Sequence, residues 1–172
     1  MEFDFVIIDE ETQLNIYIDD ILALQHSCDI TLPEDSWYIP SDKEEFYDYI
    51  NNQNGIIIVA VNNYRVAGVI SAGLDNNHYN QAKNGGAELP SKKYLYLSLV
   101  CVEHMFRGNG LQYKLMDRVI SLARSMGYKG CWCRVHPGNI YSVCNIEKAG
   151  LKHISDYTTE EGWPRRIYAC KV

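Results

Sequence analysis

The fold is decided by one stretch, Leu97-Ser98-Leu99-Val100-Cys101-Val102-Glu103-His104-Met105-Phe106-Arg107-Gly108-Asn109-Gly110-Leu111-Gln112. Its first half is apolar and typical of a buried strand, and its second half opens a helix predicted from Asn109 to Met126. Between the two, glycines let backbone N–H groups face a ligand, and the N-terminus of the helix adds about half a positive charge. Because Arg107 adds a full charge, the stretch predicts an anion-binding turn that suits a pyrophosphate.

Two common phosphate-binding motifs do not fit this turn. The chain contains no G-x-x-x-x-G-K-[S/T] string, which excludes a Walker loop. A dinucleotide fingerprint needs a third glycine where this chain has Tyr113. A structural alternative stays open, in which Gly108 and Gly110 only close a tight connection between strand and helix.

The rest of the chain is predicted to alternate strands with helices. Strands are predicted at Phe3 to Ile8, Gly55 to Val61, Arg65 to Ser71, Tyr94 to Val102, Lys129 to Val135, Leu151 to Tyr157 and Arg166 to Lys171. Further helices are predicted from Thr12 to Gln25, from Ser41 to Tyr49 and from Asn139 to Gly150. Asn62-Asn63 is predicted as a hairpin turn, and Leu74 to Lys93 as a polar loop. We therefore predict an α/β fold, with one domain over residues 1–172 and a mixed sheet flanked by helices.

Composition and charge narrow the classes of function. The 172 residues carry 16 basic and 22 acidic side chains, which gives a net charge of −6, and the pI is near 5.3. This balance argues against nucleic-acid binding and mildly favours a cationic small-molecule partner. No apolar run approaches the roughly 18 residues of a membrane helix, and the first residues are acidic. We expect a cytoplasmic protein without membrane contact and with reduced cysteines, and a homodimer stays open.

The glycine turn resembles the acetyl-coenzyme A signature of the GNAT superfamily of N-acetyltransferases. That signature is R/Q-x-x-G-x-G/A after a strand, and here it is matched from Arg107 to Leu111, with Gln112 in place of the last glycine or alanine. A second segment, from Asn139 to Leu151, is similar to the helix that carries the family's N-x-x-[S/A]…Y-E-K-x-G-F pattern. The resemblance implies a GNAT-like fold with a central sheet of about six to seven strands.

The resemblance also implies a function. The chain would move an acetyl group from acetyl-CoA, its co-substrate, to a primary amine by direct attack and without a metal, and we interpret the acceptor as a small molecule. A backbone N–H near Val102 is the implied donor to the carbonyl oxygen. The implied coenzyme-binding residues are Val100, Cys101, Val102, Arg107, Gly108, Asn109, Gly110, Leu111, Gln112, Asn139, Ser142 and Ile146. The alternative is a non-catalytic acyl-CoA-binding or regulatory module of the same fold.

Two positions depart from the catalytic groups of the family. Tyr96 stands where members with a general base carry Glu, and strand alternation predicts that it shares a face with the valines at the end of the strand. A phenol is a poor base, so Tyr96 would order a relay water, line the acceptor pocket or only pack. Ile146 stands where the family often has a proton-donating Tyr. The proton would then come from water, from Ser142 or from Tyr141, and the helical spacing places Tyr141 off the coenzyme face, which favours water.

The acceptor side is expected in two segments, Asp29 to Pro40 and Leu74 to Lys93. Their aromatic side chains and carboxylates suit an amine through cation–π contact and charge, although a solvated acidic surface would show the same composition. The residues singled out are the aromatic Trp37, Tyr38, Tyr79 and Tyr96 and the acidic Asp29, Glu34, Asp35, Asp75 and Glu88. The cluster Cys131, Cys133 and His136 lacks the second ligand pair of a zinc site and is interpreted as core and turn residues.

Overall fold

A computed structural model describes residues 1–32 and 37–172 of the chain. Within these residues the strands are β1 (Asp4–Ile8), β2 (Gly55–Asn62), β3 (Arg65–Gly73), β4 (Leu95–Val102), β5 (Gly130–Val135), β6 (Lys152–Thr158) and β7 (Pro164–Lys171). The helices are α1 (Glu11–Asp29), α2 (Lys43–Asn51), α3 (Asn76–Asn84), α4 (Leu111–Ser125) and α5 (Ile140–Lys148). A short 3-10 turn, His104–Phe106, joins β4 to α4.

The described strands form a mixed sheet in the order β1-β2-β3-β4-β5-β7-β6. Neighbouring strands are antiparallel except β4 and β5, which are parallel and connected through α4. A parallel pair needs such a crossover because the chain must return to the same end of the sheet. The predicted α/β class, with a mixed sheet flanked by helices, is confirmed.

Helices cover both faces of the sheet. On one face α4 buries a stripe that includes Leu115, and on the other α1 and α2 bury Leu14 and Phe46. Successive residues of β2 go to opposite sides, since Ile58 packs in the cluster with α4 and Ile57 packs in the cluster with α1. Burial on both faces explains why β2 reads as an unbroken apolar run.

The segment predicted as a polar loop from Leu74 contains α3, so that prediction was wrong. Asp75 caps this helix, because its Oδ1 accepts a hydrogen bond from the backbone N–H of His78 at 2.8 Å. Ala82 is the buried residue of α3. The helix therefore lacks the apolar periodicity that sequence interpretation depends on.

Three element boundaries also differ from the prediction. α1 continues a turn beyond Gln25, because Gln25 and Cys28 are both buried. The N-cap of α2 is Asp42 rather than Ser41, with Oδ1 accepting from the backbone N–H of Glu45 at 2.9 Å. The β2–β3 turn is Asn63-Tyr64, one residue later than predicted, and both residues have the positive φ that a two-residue type I′ turn requires.

β4 contains a bulge at Ser98 that changes which side chains share a face. The register against β3 skips Ser98 between the paired residues Leu97 and Leu99. Leu97 packs with Val100 in the cluster under α4, whereas Tyr96 belongs to a cluster on the opposite face. The predicted common face of Tyr96 and Val100 was wrong, because the extra residue shifts the two-residue period.

β4 and β5 separate soon after they begin. Their parallel ladder joins Leu95 to Cys131 and Tyr96 to Trp132. Beyond these pairs, the described residues of the two strands are not paired with each other, and their facing edges border a cleft. The bulge at Ser98 lies in this unpaired part of β4.

Candidate active site

A cavity of about 790 Å³ lies in the cleft between β4 and β5. Its walls are formed by both strands, the C-terminal end of α1, the starts of α2 and α3, and the first turns of α4 and α5. The buried side chain of Leu111 is part of this lining. Small-molecule sites typically enclose roughly 300–1,000 Å³. The cavity reaches from the glycine turn to the segments expected to hold an acceptor.

The glycine turn forms the N-terminal end of α4. Gly108 and Gly110 have φ angles of +81° and +68°, in the left-handed region that favours glycine, and Gly110 is the N-cap residue. A Cβ placed on either glycine would meet no described atom within 4 Å, so the space beside the turn is open. The side chain of Asn109 turns back, and its Nδ2 donates to the carbonyls of Phe106 and Arg107 at 3.0 and 3.3 Å. Open space beside a helix N-terminus fits a diphosphate.

Arg107 is held against the end of β4 and α1. Its Nε donates to the carbonyl of Val102 at 3.2 Å, and its Nη2 donates to Thr31 Oγ1 at 3.2 Å and lies 3.9 Å from Cys28 Sγ. A hydrogen bond with the Cys101 thiol and the Arg107 charge lower the pKa of Cys28 to about 7, although burial opposes the shift. The guanidinium therefore places positive charge on the cavity wall where β4 ends.

The strand residues implied in coenzyme binding have different orientations. The backbone N–H of Glu103 donates to the carbonyl of Ala67 in β3 at 2.9 Å. Residues in an antiparallel pair direct their backbone groups alternately toward and away from the partner. Cys101 therefore faces β3 with its backbone, whereas Val100 and Val102 direct theirs into the cleft. The N–H groups of Val100 and Val102 are positioned to bind an extended ligand.

The first turns of α5 place polar groups on the cavity. Asn139 caps the helix, with Oδ1 accepting from the backbone N–H of Ser142 at 3.2 Å. Gln112 Nε2 donates to Ser142 Oγ at 3.1 Å, and Gln112 Oε1 accepts from Asn145 Nδ2 at 3.3 Å. Gln112 thus connects α4 to α5, and the hydroxyl hydrogen of Ser142 stays able to donate elsewhere. Ile146 is 4% exposed and also lines the cavity.

Tyr141 also borders the cavity, although the helical spacing places it off the face that Ser142 and Ile146 share. The side chain is 77% exposed and belongs to the first turn of α5. A long side chain at a helix start can reach around the face that its spacing assigns. Tyr141 therefore stays a candidate proton donor at the open side of the cavity.

Tyr96 is enclosed at the end of the cavity where β4 and β5 are still paired. Arg134 Nε donates to its hydroxyl at 3.1 Å. The rings of Trp132 and His78 pack against it, with centroids 4.5 and 5.1 Å away. Burial raises the pKa of Tyr96 to about 12, although the Arg134 charge opposes the shift. Tyr96 lines the cavity, but it is a weaker candidate for a base than a free phenol.

Glu45 is a cavity carboxylate that the sequence interpretation missed. Its Oε1 accepts hydrogen bonds from the hydroxyls of Tyr49 at 2.8 Å and Ser98 at 3.1 Å. The spacing of Asp42 and Glu45 is that of a helix capping box, which predicts that the Glu45 side chain hydrogen-bonds to the backbone at the start of α2. The Glu45 carboxylate instead points toward the β4 bulge, because of how α2 packs against the sheet.

His78 is the second missed group. Its Nδ1 is hydrogen-bonded to Asp75 Oδ2, and its ring lines the cavity beside Tyr96. Burial opposes ionisation of Asp75, but hydrogen bonds from His78 outweigh it and lower the pKa of Asp75. With Nδ1 held by a carboxylate, Nε2 is the nitrogen that can accept a proton. An Asp three residues before a His at a helix start was the available signal, and it was hidden by the loop prediction.

The predicted acceptor residues Trp37 and Tyr38 line the same cavity. Trp37 stacks on His136 with ring centroids 5.7 Å apart. The Tyr38 hydroxyl accepts from the thiol of Cys101 at 3.2 Å, and burial raises the pKa of Tyr38. Two of the expected carboxylates, Glu34 and Asp35, lie outside the described residues.

The family model of the acetyltransferase (GNAT) family matches residues 18–151 of this chain. The match includes the glycine turn, the cleft strands β4 and β5, and α5. The chain therefore belongs to the GNAT acetyltransferase family. No single curated protein is similar enough in sequence to give a match.

Solved structures share the fold over nearly the whole chain. An N-acetyltransferase from Staphylococcus aureus Mu50 has a TM-score of 0.72 and 19% identity, with 98% of each chain covered. NAA60 from Arabidopsis thaliana, solved in complex with acetyl-CoA, has a TM-score of 0.69 and 13% identity, with 99% of each chain covered. The ribosomal-protein-S18-alanine N-acetyltransferase from Escherichia coli has a TM-score of 0.63 and 15% identity, covering 98% of this chain and 94% of that one. At these identities the likeness shows the fold.

Membrane-spanning helices and clusters of metal ligands are both absent from the described residues. None of the helices there is both long enough and apolar enough to cross a membrane. Residues 1–32 and 37–172 also contain no group of three or more His, Cys, Asp or Glu side chains placed to hold a metal ion.

Proposed function

We propose that this protein is an acetyl-CoA-dependent N-acetyltransferase that acetylates the primary amine of a small molecule by direct attack. The observation that carries the proposal is one continuous cavity, which joins the glycine turn at the start of α4 to the proton-accepting groups Glu45 and His78. In this reaction a neutral amine forms a C–N bond to the acetyl carbonyl carbon while the C–S bond breaks. The amine proton passes to a base, and the thiol leaves. A cytoplasmic location stays a prediction.

The coenzyme would occupy the α4 side of the cavity. Acetyl-CoA supplies an acetyl group activated as a thioester. The backbone N–H groups of Gly108 to Gly110 and the N-terminus of α4 would bind its pyrophosphate, and the cleft-facing edges of Val100 and Val102 would bind its extended arm. The N–H of Val102 can also donate to the carbonyl oxygen as negative charge develops there. The acetyl-CoA in the Arabidopsis NAA60 structure supports this assignment.

The acceptor would occupy the α2 and α3 side. A lysine-like amine with a pKa near 10.4 is only about one part in two thousand neutral at pH 7, so the reaction needs a proton acceptor. We assign this role to His78 Nε2, since Asp75 holds the other ring nitrogen and imidazole is a suitable base near neutral pH. The Glu45 carboxylate would attract the ammonium form of the acceptor before it loses its proton.

The departing thiolate needs a proton or a charge partner. Ile146 cannot provide one, but Ser142 lies on the same helix face with its oxygen already accepting from Gln112. Its hydroxyl hydrogen can therefore point toward the sulfur or toward a water. A thiol with a pKa near 8.5, by analogy with cysteine, leaves without strong acid assistance.

A second candidate function is a non-catalytic acyl-CoA-binding module. Ile146 at the usual donor position and the raised pKa of Tyr96 favour it. This alternative predicts coenzyme binding without turnover, and no gain of activity from Ile146→Tyr. The enzyme proposal predicts that Ile146→Tyr raises the rate.

The test is thiol release from acetyl-CoA with a panel of primary amines, followed together with calorimetric coenzyme A binding. We expect turnover with at least one small amine, and a His78→Gln variant that binds coenzyme A normally but turns over slowly. Tight coenzyme binding with no turnover on any amine would favour the non-catalytic module. Stabilisation by NAD or ATP but not by coenzyme A would contradict both functions.

A further inference from the structure

Two arginines lie on the acceptor side of the cavity, away from the glycine turn. Arg134 belongs to β5, Arg165 belongs to β7, and both line the cavity. Arg165 is only 4% exposed, and Arg134 is half-buried. The function proposed above assigns no role to either guanidinium.

The partners of Arg134 are all neutral. Its Nε donates to the Tyr96 hydroxyl at 3.1 Å, and its Nη1 donates to Gln81 Oε1 at 3.1 Å and to the Tyr157 hydroxyl at 2.9 Å. Its Nη2 donates to none of the residues that the structure describes. These contacts fix the plane of the guanidinium and leave one edge for a ligand.

Arg165 has even fewer partners. Its Nη1 donates to the backbone carbonyl of the adjacent Pro164 at 3.0 Å, and its guanidinium lies 5.7 Å from the centroid of the Trp163 ring. Across residues 1–32 and 37–172, no carboxylate lies within the 4.0 Å of an ion pair with either arginine. Glu161 acts on both from the exposed turn between β6 and β7, where its carboxylate is hydrogen-bonded to Thr159.

Two cations that have no carboxylate partner among the described residues, both in one wall of the cavity, are unfavourable without an anion. Burial disfavours the charged form of Arg165, and the nearby charge of Arg134 acts in the same direction, so both lower the pKa of Arg165. Arginine nevertheless stays charged at neutral pH, because its pKa in water exceeds 12. Folded proteins rarely bury such a charge without a partner. An anionic ligand would supply the missing partner.

We propose that Arg134 and Arg165 bind a carboxylate of the acceptor, which makes the acceptor a small aminocarboxylic acid. This inference rests on the proposed function, because it places the acceptor amine at His78 and Glu45. The planar fork of a guanidinium matches a carboxylate in two parallel hydrogen bonds. The Tyr96 side chain lies between the proposed carboxylate site and the proposed amine site, because its hydroxyl contacts Arg134 and its ring contacts His78. Amine and carboxylate therefore belong to one small molecule, with only a few bonds between them.

The experiment compares acceptors that differ in the anionic group, with each rate referred to the neutral form of the amine because this group also affects the amine pKa. For each amino acid turned over by the wild-type chain, thiol release is measured with the free acid, the carboxamide, the decarboxylated amine and a phosphonate analogue. We expect kcat/KM for the free acid to exceed that for the carboxamide by roughly 10- to 100-fold, the usual strength of hydrogen bonds to a charged group. Arg134→Gln and Arg165→Gln should reduce this ratio to about 1 and leave the affinity for coenzyme A unchanged. Preference for the phosphonate over the carboxylate would overturn the carboxylate assignment.

Stability separates a binding role from a structural one. A ligand-binding cation without a partner should be dispensable for folding, so Arg165→Gln should melt at or above the wild-type temperature. Arg165→Lys, which keeps the charge but loses the fork, should retain only part of the preference for the free acid. A large loss of stability in Arg165→Gln, with an unchanged acceptor ratio, would overturn the proposal.

A calorimetric arm keeps this inference distinct from the proposed function. The free acids and their carboxamides are titrated into the full chain saturated with coenzyme A, which needs no turnover. If no amine is acetylated, the proposed function fails. The anion site is still supported in that case if the wild type binds a free acid and Arg134→Gln does not. If amines are acetylated but the free acid and carboxamide bind and react equally, the anion site fails and the proposed function stands.

Discussion

The neighbours of a side chain in this cavity, more than its residue type, determine whether it can accept a proton. Tyr96 lies at the position of a base, but Arg134 occupies its hydroxyl and burial raises its pKa to about 12. His78, by contrast, has a carboxylate behind one ring nitrogen and the cavity beside the ring. His78 is therefore a better candidate than Tyr96 for the proposed proton acceptor, although the two rings pack together with centroids 5.1 Å apart.

The first residue-scale prediction concerns this histidine and its partner. His78→Gln should lower kcat by roughly 100-fold or more, the usual contribution of a general base, with little change in the affinity for coenzyme A. Asp75→Asn keeps the oxygen that caps α3 but removes the charge from Nδ1 of His78, so it should lower kcat by roughly tenfold without loss of stability. Steady-state kinetics and thermal melting check both variants. Full activity in His78→Gln, combined with an inactive Glu45→Gln, would move the base to Glu45.

The second residue-scale prediction concerns Cys28. Its thiolate is stabilised by a hydrogen bond with Cys101 and by Arg107, which lower its pKa to about 7, so alkylation should reach half its maximal rate near pH 7, below the pH of about 8.5 for an ordinary thiol. The sign follows from the reactive species, since only the thiolate attacks. Peptide-resolved mass spectrometry after short iodoacetamide pulses measures the profile, and Arg107→Gln should move the midpoint upward. A midpoint at or above 8.5 in the wild type would contradict the assigned environment.

Elements differ in how far the sequence could predict them. β2 and α4 could be predicted from their apolar patterns, because both faces of β2 and one face of α4 are buried, and the start of α5 could be predicted from its cap, Asn139. α3 could not be predicted by periodicity, since it buries a single small residue, Ala82. The bulge at Ser98 leaves no local signal either, because it depends on how β3 pairs with β4. That bulge reversed the expected orientation of Tyr96.

The element-scale prediction tests the start of α5. Asn139→Ala removes the oxygen that caps the helix and should cost about 1 kcal/mol of unfolding free energy, within the usual range of roughly 0.5–2 kcal/mol. Asn139→Ser keeps a capping oxygen and should stay within a few tenths of a kcal/mol of the wild type. Urea denaturation of the three proteins makes the comparison. Equal losses in the alanine and serine variants would show that the side chain does not cap α5.

At the scale of the whole molecule, the two halves of the cavity differ in how they arise. The coenzyme side comes from contiguous segments, so the motif from Arg107 to Gln112 and the helix after Asn139 could both be found in the sequence. The acceptor side is assembled from α2, α3, β5 and β7, which are far apart in the chain. Glu45, His78, Arg134 and Arg165 come together only through the sheet order, and no local spacing joins them.

The contrast between a coenzyme side built from contiguous segments and an acceptor side built from distant ones agrees with the family assignment and with the low sequence identity of the structural relatives. The Staphylococcus aureus and Arabidopsis structures share the fold at 19% and 13% identity. A shared coenzyme cleft can accept many acceptors when distant loops and strands form the second half of the site. We therefore expect the four elements of the acceptor side, rather than the family, to determine which acceptor this protein takes.

The central claim is that the turn at Gly110 holds the pyrophosphate of coenzyme A, and calorimetric titration of matched variants tests it most directly. Asparagine and aspartate have nearly the same shape and both tolerate the left-handed backbone found at Gly110, so they differ mainly in charge. Each variant is first shown to fold by circular dichroism. We predict that Gly110→Asn binds coenzyme A a few-fold more weakly than the wild type, and Gly110→Asp at least roughly tenfold more weakly than Gly110→Asn, because its carboxylate faces the phosphates. A folded Gly110→Asp protein that binds coenzyme A as tightly as Gly110→Asn would contradict the account.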